Sequence, residues 1–219
     1  MLNKRSKADS VKKRHLITHS SADSIISDQF RTIRTNIKFL SEEKRKRTFL
    51  VTSPGIGEGK STTTANLAVS VAQQKDKVLL VDTNLREPII HRIFKISNEV
   101  GLTDILTEKA TFDEAIHKTG IGKLDILTSG SAVSSPAEVL GNEIMAKLLN
   151  GVKTAYDMVL IDSPTILKST ETRLLANQCD GVILVVNRGK TILEKAVEAR
   201  KILKLSRSDL VGVIINEKG

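Results

Sequence analysis

Six apolar runs, rich in β-branched residues, recur along the chain from residue 48 onward. They lie at 48–53, 77–82, 124–129, 157–162, 181–187 and 210–216. Continuous apolar runs of this length indicate strands covered on both faces, whereas half-exposed strands alternate apolar and polar positions. The pattern therefore predicts the strands of a buried, mostly parallel sheet.

Segments with helical periodicity separate these runs. They lie near 60–75, 136–150, 170–178 and 191–205. Pro136 fits the first turn of its helix, where a backbone N–H has no intrahelical partner, and Ser135 is predicted to cap that helix. Alternating strands and helices predict a doubly wound α/β domain.

One more amphipathic helix is predicted ahead of the sheet, at residues 22–40. Its apolar side chains recur on one face, as helical spacing requires. They are Ile26, Phe30, Ile33 and Ile37. We therefore expect one domain over residues 21–219, consisting of this helix and the sheet with its flanking helices.

The first twenty residues have a different composition. Within the first fourteen residues, basic residues stand at positions 4, 5, 7, 12, 13 and 14 against one acid, Asp9, and large apolar residues are almost absent. Such a segment has little to bury, so residues 1–20 are predicted to form a disordered basic arm. It acts either as a solubilising tail or as a contact with an anionic inner leaflet. A second basic cluster, KRKR at 44–47, is interpreted as a solvated turn.

Composition narrows the class of function. The net charge of +9 fits an anionic partner. Aromatic residues make up only 3% of the chain, which argues against base stacking, and we expect no specific nucleic-acid partner. No apolar run approaches the roughly 18 residues of a membrane span, and the lone Cys179 fits a reducing cytoplasm. A cytoplasmic location is expected.

The segment VTSPGIGEGKST at 51–62 carries the strongest chemical signal. Its glycines allow backbone N–H groups to wrap phosphates, and the following helix N-terminus adds a positive field. Lys60 is predicted to reach the β- and γ-phosphates of a nucleotide, and Ser61 to ligate Mg²⁺. Pro54 replaces the usual first glycine, but the phosphate-contacting half is retained. The predicted ATP contacts are Gly55, Gly57, Glu58, Gly59, Lys60, Ser61 and Thr62.

Two later runs end in an acid. Asp82 closes VLLVD and Asp162 closes MVLID. Ligands of parallel sheets bind beyond the carboxyl ends of the strands, where both acids would meet the phosphate loop. Each acid is predicted to bind Mg²⁺ directly or through water, and Asp82 is also a candidate for accepting a proton from an attacking group.

These segments resemble a known family, the bacterial tyrosine kinases. The likeness spans about residues 22–216 in consecutive order and is greatest to the cytoplasmic kinase subunits of capsule and exopolysaccharide biosynthesis in Gram-positive bacteria. It is carried by GEGKSTTTANLA, VLLVDTNLREP, GLTDIL, LDILTSG, SPAEVL, YDMVLIDSP and CDGVILVV. The resemblance implies a P-loop fold related to the Min and Par ATPases, with Mg·ATP bound through Walker A, A′ and B. It also implies transfer of the γ-phosphoryl group to tyrosines and activation by a membrane-embedded adaptor at the inner face of the cell membrane.

The resemblance also assigns individual residues. In DQFRTIR, the acid-x-x-Arg-x-x-Arg motif through which family subunits dock into a ring falls on Asp28, Arg31 and Arg34. Asn216 lies where asparagines of relatives meet the nucleotide base, and a strand-end role is the alternative. Arg86 is expected near the site or at a subunit contact.

Two departures from the family pattern bear on catalysis. The second acid of the A′ motif is Asn84, which can ligate Mg²⁺ through its carbonyl but carries no charge and cannot act as a base. The chain has one tyrosine, Tyr156, expected to pack against a buried strand, and the printed sequence shows no tyrosine-rich tail. Phosphorylation of other proteins in trans is therefore expected.

Three functional hypotheses remain. The first is a Mg·ATP-dependent protein-tyrosine kinase acting on tyrosine-containing proteins of polysaccharide synthesis. The second is an ATP-gated interaction module with weak or absent phosphoryl transfer, assembling with the membrane adaptor. The third, a Min/Par-type ATPase, is disfavoured because no lysine precedes Lys60 in the phosphate loop.

Overall fold

The computed structural model describes residues 16–44 and 47–217, with the side chains of 41–44 left out of the description. Residues 1–15 of the predicted basic arm, and most of the KRKR cluster, lie outside the described residues. Within the described part, seven strands and ten helices form one α/β domain. The strands are β1 Thr48–Thr52, β2 Lys77–Asp82, β3 Ile116–Lys118, β4 Lys123–Leu127, β5 Met158–Asp162, β6 Gly181–Asn187 and β7 Leu210–Asn216.

Helices connect the strands and cover both faces of the sheet. They are α1 Ile17–Ser20, α2 Ile25–Lys44, α3 Lys60–Ala72, α4 Ile90–Phe94, α5 Leu102–Leu106, α6 Phe112–Ala115, α7 Pro136–Leu140, α8 Glu143–Ala155, α9 Thr170–Gln178 and α10 Leu193–Leu205. One apolar core includes α3 and Ile37 of α2, and the other, across the sheet, includes α8, α9 and α10. This two-sided cover explains the apolar runs of the central strands β1, β2 and β5, whereas the edge strand β7, predicted to be buried as well, leaves Val213 and Ile215 exposed.

The sheet has the order β3-β4-β2-β5-β1-β6-β7, and every neighbouring pair is parallel except β3 with β4. The doubly wound, mostly parallel fold predicted from the sequence is confirmed. All six predicted strands are present, with ends that agree to within two residues. The sequence analysis missed β3, a three-residue antiparallel edge strand whose apolar signal is a single isoleucine.

The predicted helix at 136–150 is two helices. Pro136 occupies the first turn of α7 and Ser135 is its N-cap residue, both as expected, although the Ser135 side chain makes no capping hydrogen bond. The first helix, α7, ends before Gly141. Asn142 then caps α8, because its side-chain oxygen accepts a hydrogen bond from the backbone N–H of Met145 at 2.9 Å. An asparagine cap stabilises a new helix start, which the apolar periodicity alone does not reveal.

The domain begins earlier than predicted. Residues 17–20 form α1, and Thr18 is buried against α3. Its backbone N–H and its hydroxyl donate to Asn66, at 3.1 Å in each of three bonds. The boundary therefore lies before residue 17, because this segment is held by polar contacts to a distant helix and by the packing of Leu16 against the core.

Two smaller expectations can be compared with the structure. Tyr156 is buried, as predicted, and its hydroxyl donates to Asp125 at 2.9 Å. Burial, then that bond, raises the pKa of Tyr156 well above its usual value. Within the described residues, no helix combines the length and the apolar character needed to cross a bilayer.

Candidate nucleotide and phosphoryl-transfer site

The glycine-rich loop runs from the end of β1 to the start of α3. Gly57 and Gly59 have positive φ angles of 75° and 92°, a region that L-residues with side chains rarely adopt. Gly59 is the residue immediately before α3. The backbone N–H groups of the loop therefore lie next to those at the N-terminus of this helix. This is the arrangement that binds phosphate in proteins. Gly55, Ser61 and Thr62 lie along the same path, as the sequence predicts.

Glu58 is the buried acid of the phosphate loop. Its side chain is 2% exposed and faces the protein. One carboxylate oxygen accepts the N–H of Gly55 at 2.9 Å, and the other accepts the hydroxyl of Thr191 at 2.7 Å. The Glu58 side chain thus braces the phosphate loop from inside, and contact of Glu58 with ATP through its backbone stays a prediction.

Asn216 also lies against the loop. From the end of β7, its side-chain N–H donates to the carbonyl oxygen of Glu58 at 3.0 Å. A Cβ added to Gly59 would collide with the same amide. The last strand is therefore tied to the phosphate loop, while contact of Asn216 with a base stays a prediction.

The two predicted acids are neighbours at the carboxyl edge of the sheet. Asp82 and Asp162 are paired in register between β2 and β5, and both are fully buried. Lys60 extends from α3 towards them: its ammonium lies 4.0 Å from a carboxylate oxygen of Asp162 and 3.1 Å from the hydroxyl of Ser61. The structure thus brings together the lysine, the hydroxyl and the two acids that the sequence assigns to one site.

Asp82 has an unusual electrostatic environment. Its carboxylate accepts backbone N–H groups from Asn84, Ile89 and Ile90 at 3.0 to 3.1 Å. Burial nevertheless raises the pKa of Asp82 to about 7, and repulsion from Asp162 adds to the rise while the N–H bonds oppose it. A carboxyl group poised near neutral pH is suited to accept a proton.

The donor set fits Mg²⁺. Two carboxylates and a serine hydroxyl are hard oxygen donors, and two buried carboxylates in adjacent strands favour a cation between or beside them. No group of three or more His, Cys, Asp or Glu side chains suited to a metal occurs in the described part of the chain. In proteins, Mg²⁺ is usually held by one or two carboxylates together with water and substrate phosphates.

Asn84 stands at the rim of this group. Its side-chain N–H donates to the carbonyl oxygen of Glu87 at 2.9 Å, which anchors the turn after β2. Two residues on, Arg86 donates to the buried Glu171 of α9 at 3.2 Å. Burial opposes the ionisation of Glu171, yet its hydrogen bonds, including the one from Arg86, hold its pKa below the usual value. Arg86 therefore ties the turn after β2 to α9.

The three docking-motif residues lie on α2, away from the phosphate loop. Arg31 pairs with Asp28 and also donates to the backbone of Ala22. Arg34 donates to the carbonyl oxygen of Ser70 on α3 at 2.6 Å. Asp28 and Arg31 are thus on the surface, and Arg34 already joins α2 to the domain body. Their role in subunit contact stays a prediction.

The sequence analysis missed two threonines of the site. The Thr64 hydroxyl donates to the carbonyl oxygen of Lys60 at 2.8 Å and lies 3.5 Å from Asp162. Thr191 supports the loop through Glu58. The triple threonine after Ser61 could have indicated the first, but no local signal connects residue 191 to residue 58.

A parallel sheet whose first strand opens into this loop, with acids ending the adjacent strands, defines a P-loop NTPase. Residues 46–205 match the AAA domain family. The chain is 43% identical over 205 residues to the tyrosine-protein kinase YwqD of Bacillus subtilis (strain 168), covering 94% of this chain and 86% of that protein. It is 34% identical over 191 residues to the tyrosine-protein kinase CpsD of Streptococcus agalactiae serotype III (strain NEM316), covering 87% and 82%. The chain belongs to the bacterial tyrosine kinases.

Solved structures agree with this assignment. The chimerical protein CapA2B2 superposes with a TM-score of 0.89 at 34% identity, covering 93% of this chain and 89% of that chain. MinD of Pyrococcus horikoshii OT3, complexed with Mg-ADP, superposes with a TM-score of 0.68 at 26% identity, covering 79% and 71%. The expected relation of the fold to the Min ATPases is confirmed.

Proposed function

We propose that the chain is a Mg·ATP-dependent protein-tyrosine kinase that acts in trans on proteins of capsule or exopolysaccharide synthesis. The observation that carries this proposal is the meeting of Lys60 with the buried pair Asp82 and Asp162 beside a phosphate-binding loop. Relatives named as tyrosine-protein kinases at 34–43% identity support the same chemistry.

In phosphoryl transfer, Asp82 has a different role from Lys60 and the loop N–H groups. The phenolic oxygen of a substrate tyrosine attacks the γ-phosphorus of ATP, a new O–P bond forms, and the bond to the β–γ bridging oxygen breaks, so that ADP leaves. The tyrosine proton passes to the carboxylate of Asp82, which lies beside Asp162 at the carboxyl edge of the sheet. Lys60 and the loop N–H groups offset negative charge on the phosphates.

When bound, Mg²⁺ would supply positive charge that neutralises the negative charge developing during transfer. Asp162, Ser61 and Asp82 are the residues that would hold it, with Asn84 as a neutral fourth donor at the rim. Lys60 is held close to this group by its 4.0 Å approach to Asp162. The ammonium group of lysine is a compact charge on a flexible side chain, so it can stay in contact with the phosphate oxygens as they move.

We further propose that the protein is cytoplasmic, is recruited to the inner face of the membrane by a membrane-embedded adaptor, and associates into a ring through α2. The resemblance to kinase subunits of polysaccharide synthesis supports the adaptor, and the exposed Asp28 and Arg31 support a docking surface. The alternative is an ATP-gated interaction module with weak or no kinase activity. Asn84, an uncharged residue where the family has an acid, is the observation that favours it.

The decisive experiment combines the protein with Mg·ATP, the cytoplasmic tail of a candidate adaptor and tyrosine-containing polysaccharide enzymes. We expect phosphotyrosine on the added proteins with the wild type and with Lys147→Met, which removes an exposed lysine of α8. Lys60→Met and Asp82→Asn should each lower the rate by at least about 100-fold. ADP binding without any phosphotyrosine would reject the kinase and leave the interaction module.

A further inference from the structure

A second lysine lies against the phosphate loop. Lys190 belongs to the turn after β6, and a Cβ placed on Gly57 would lie 2.6 Å from its ammonium nitrogen. The φ angle of Gly57 is +75°, a backbone conformation that glycine adopts readily. Because glycine has no Cβ, it also leaves room for the ammonium group of Lys190. The ammonium group therefore occupies the space beside the loop residue that a side chain would fill.

The turn that carries Lys190 is fixed to the loop. The Thr191 hydroxyl donates to Glu58 at 2.7 Å and accepts the N–H of Asn187 at 2.8 Å. The backbone N–H groups of Lys190 and Thr191 both donate to the carbonyl oxygen of Asn187, at 3.1 and 2.8 Å. Since Glu58 is itself part of the phosphate loop, turn and loop form one hydrogen-bonded unit.

The charges in this turn have different partners. Arg188 pairs with Glu217 at 2.8 Å. Among residues 16–40 and 47–217, no carboxylate lies within 4.0 Å of the ammonium of Lys190. Glu58, the acid that belongs to the loop, instead accepts hydrogen bonds from Gly55 and Thr191. Lys190 is thus a cation beside a phosphate-binding loop whose own sequence contributes one lysine, Lys60.

We propose that Lys190 is a second cation of the phosphate site and binds phosphate oxygens of the nucleotide together with Lys60. The proposal rests on the nucleotide-binding function inferred above. An ammonium-to-phosphate contact is a charge-assisted hydrogen bond, stronger than a neutral one, and a fixed turn reduces the entropy lost on forming it. The turn after β6 would in this way contribute directly to holding the phosphates.

The test is calorimetric titration of the full chain with ADP in the presence of Mg²⁺. Lys190→Met should weaken ADP binding by about tenfold, the effect expected for losing one charge-assisted contact. Lys190→Arg should retain most of the affinity. The matched control is Arg188→Met, which removes the same charge from the same turn but faces Glu217, and it should bind ADP like the wild type.

Two further measurements make the result specific. The difference between wild type and Lys190→Met should shrink as salt rises from about 50 to 300 mM, because screening weakens partly exposed charge pairs. The thermal midpoint without nucleotide should be equal in both, since Lys190 is exposed. Unchanged ADP affinity in Lys190→Met, or a loss equal to that of Arg188→Met, would overturn the proposal while nucleotide binding stands. If the wild type fails to bind ADP, the nucleotide-binding function itself falls, and this proposal with it.

Discussion

Asp82 and Asp162 end adjacent strands in a fully buried position, and this arrangement governs the chemistry of the site. Two carboxylates at such a place cannot both be ionised without cost, since burial and mutual repulsion both favour the protonated form of one of them. Three backbone N–H bonds to Asp82 offset part of that cost. A divalent cation would offset more of it, which connects metal binding to the protonation of Asp82.

This leads to a prediction for stability without Mg²⁺. The pKa of Asp82 is raised from 3.8 to about 7 on folding, so between these values the folded state holds a proton that the unfolded state has released. Stability should therefore fall as pH rises from about 4 to 7, with a slope of up to about 1.4 kcal/mol per pH unit. Urea denaturation at several pH values in EDTA would measure it.

Asp82→Asn removes the titrating group and should flatten that part of the pH profile. Asp113→Asn, a change at an exposed acid on α6, serves as the control and should keep the slope of the wild type. Parallel profiles for wild type and Asp82→Asn would show that Asp82 does not titrate in this range.

Asn84 offers a second test at the residue scale. Asn84→Asp restores a negative charge beside Asp82 and Asp162 and should strengthen Mg²⁺ binding, and with it phosphoryl transfer, by roughly threefold to tenfold. The gain is limited because the side-chain donor to the carbonyl of Glu87 is lost. Mg²⁺ titration of the phosphorylation rate measures the effect. Asn84→Ala, which loses the same donor without adding charge, should be no better than wild type, and an equal rate in wild type and Asn84→Asp would contradict our interpretation of this position.

At the scale of elements, α3 links the site to the N-terminal segment. From Ser61 to Ala72 every residue except Thr62 is buried, so this helix is enclosed by the sheet, α1 and α2. Its polar residues must then find partners inside the protein. Asn66 does so through Thr18, and Ser70 through Arg34.

Removing one of these partners should destabilise the domain. Thr18→Val keeps the shape of the side chain but loses the hydroxyl that donates to Asn66, so we expect a loss of about 1 to 3 kcal/mol in the free energy of unfolding. Thr18→Ser retains the hydroxyl and should lose less. Urea denaturation compares the two, and a serine variant less stable than the valine variant would show that packing, rather than hydrogen bonding, holds α1.

The elements themselves were largely predictable. Each of the six apolar runs became a strand. Burial on both faces explains this signal for the central strands, while the edge strand β7 is apolar although Val213 and Ile215 are exposed. The edge strand β3 has only one apolar residue, Ile116, and pairs with β4 through its backbone, which composition does not encode. The break between α7 and α8 likewise depends on a local asparagine cap rather than on periodicity.

At the scale of the whole molecule, α2 presents Asp28 and Arg31 on its surface, whereas Arg34 contacts α3. Arg31 is therefore the cleaner probe of self-association. Sedimentation of Arg31→Ala should show dissociation constants raised about tenfold or more if a ring forms through this helix. Lys38→Ala, which removes an exposed cation of the same helix that pairs with Asp76, should associate like the wild type. A monomeric wild type would leave the docking assignment without support.

The sequence by itself determined the six apolar strands, the phosphate loop, Lys60 and both acids, because each depends on residues adjacent in the chain and on the rule that parallel strands end at a common edge. Tertiary structure decided which way the side chains of the loop point. Glu58 turns inward because its carboxylate accepts hydrogen bonds from the hydroxyl of Thr191 and the N–H of Gly55. The approach of Lys190 to Gly57 and the raised pKa of Asp82 arise in the same way. Such contacts join segments far apart in the chain, and their energies depend on burial and on distances that only the folded molecule sets.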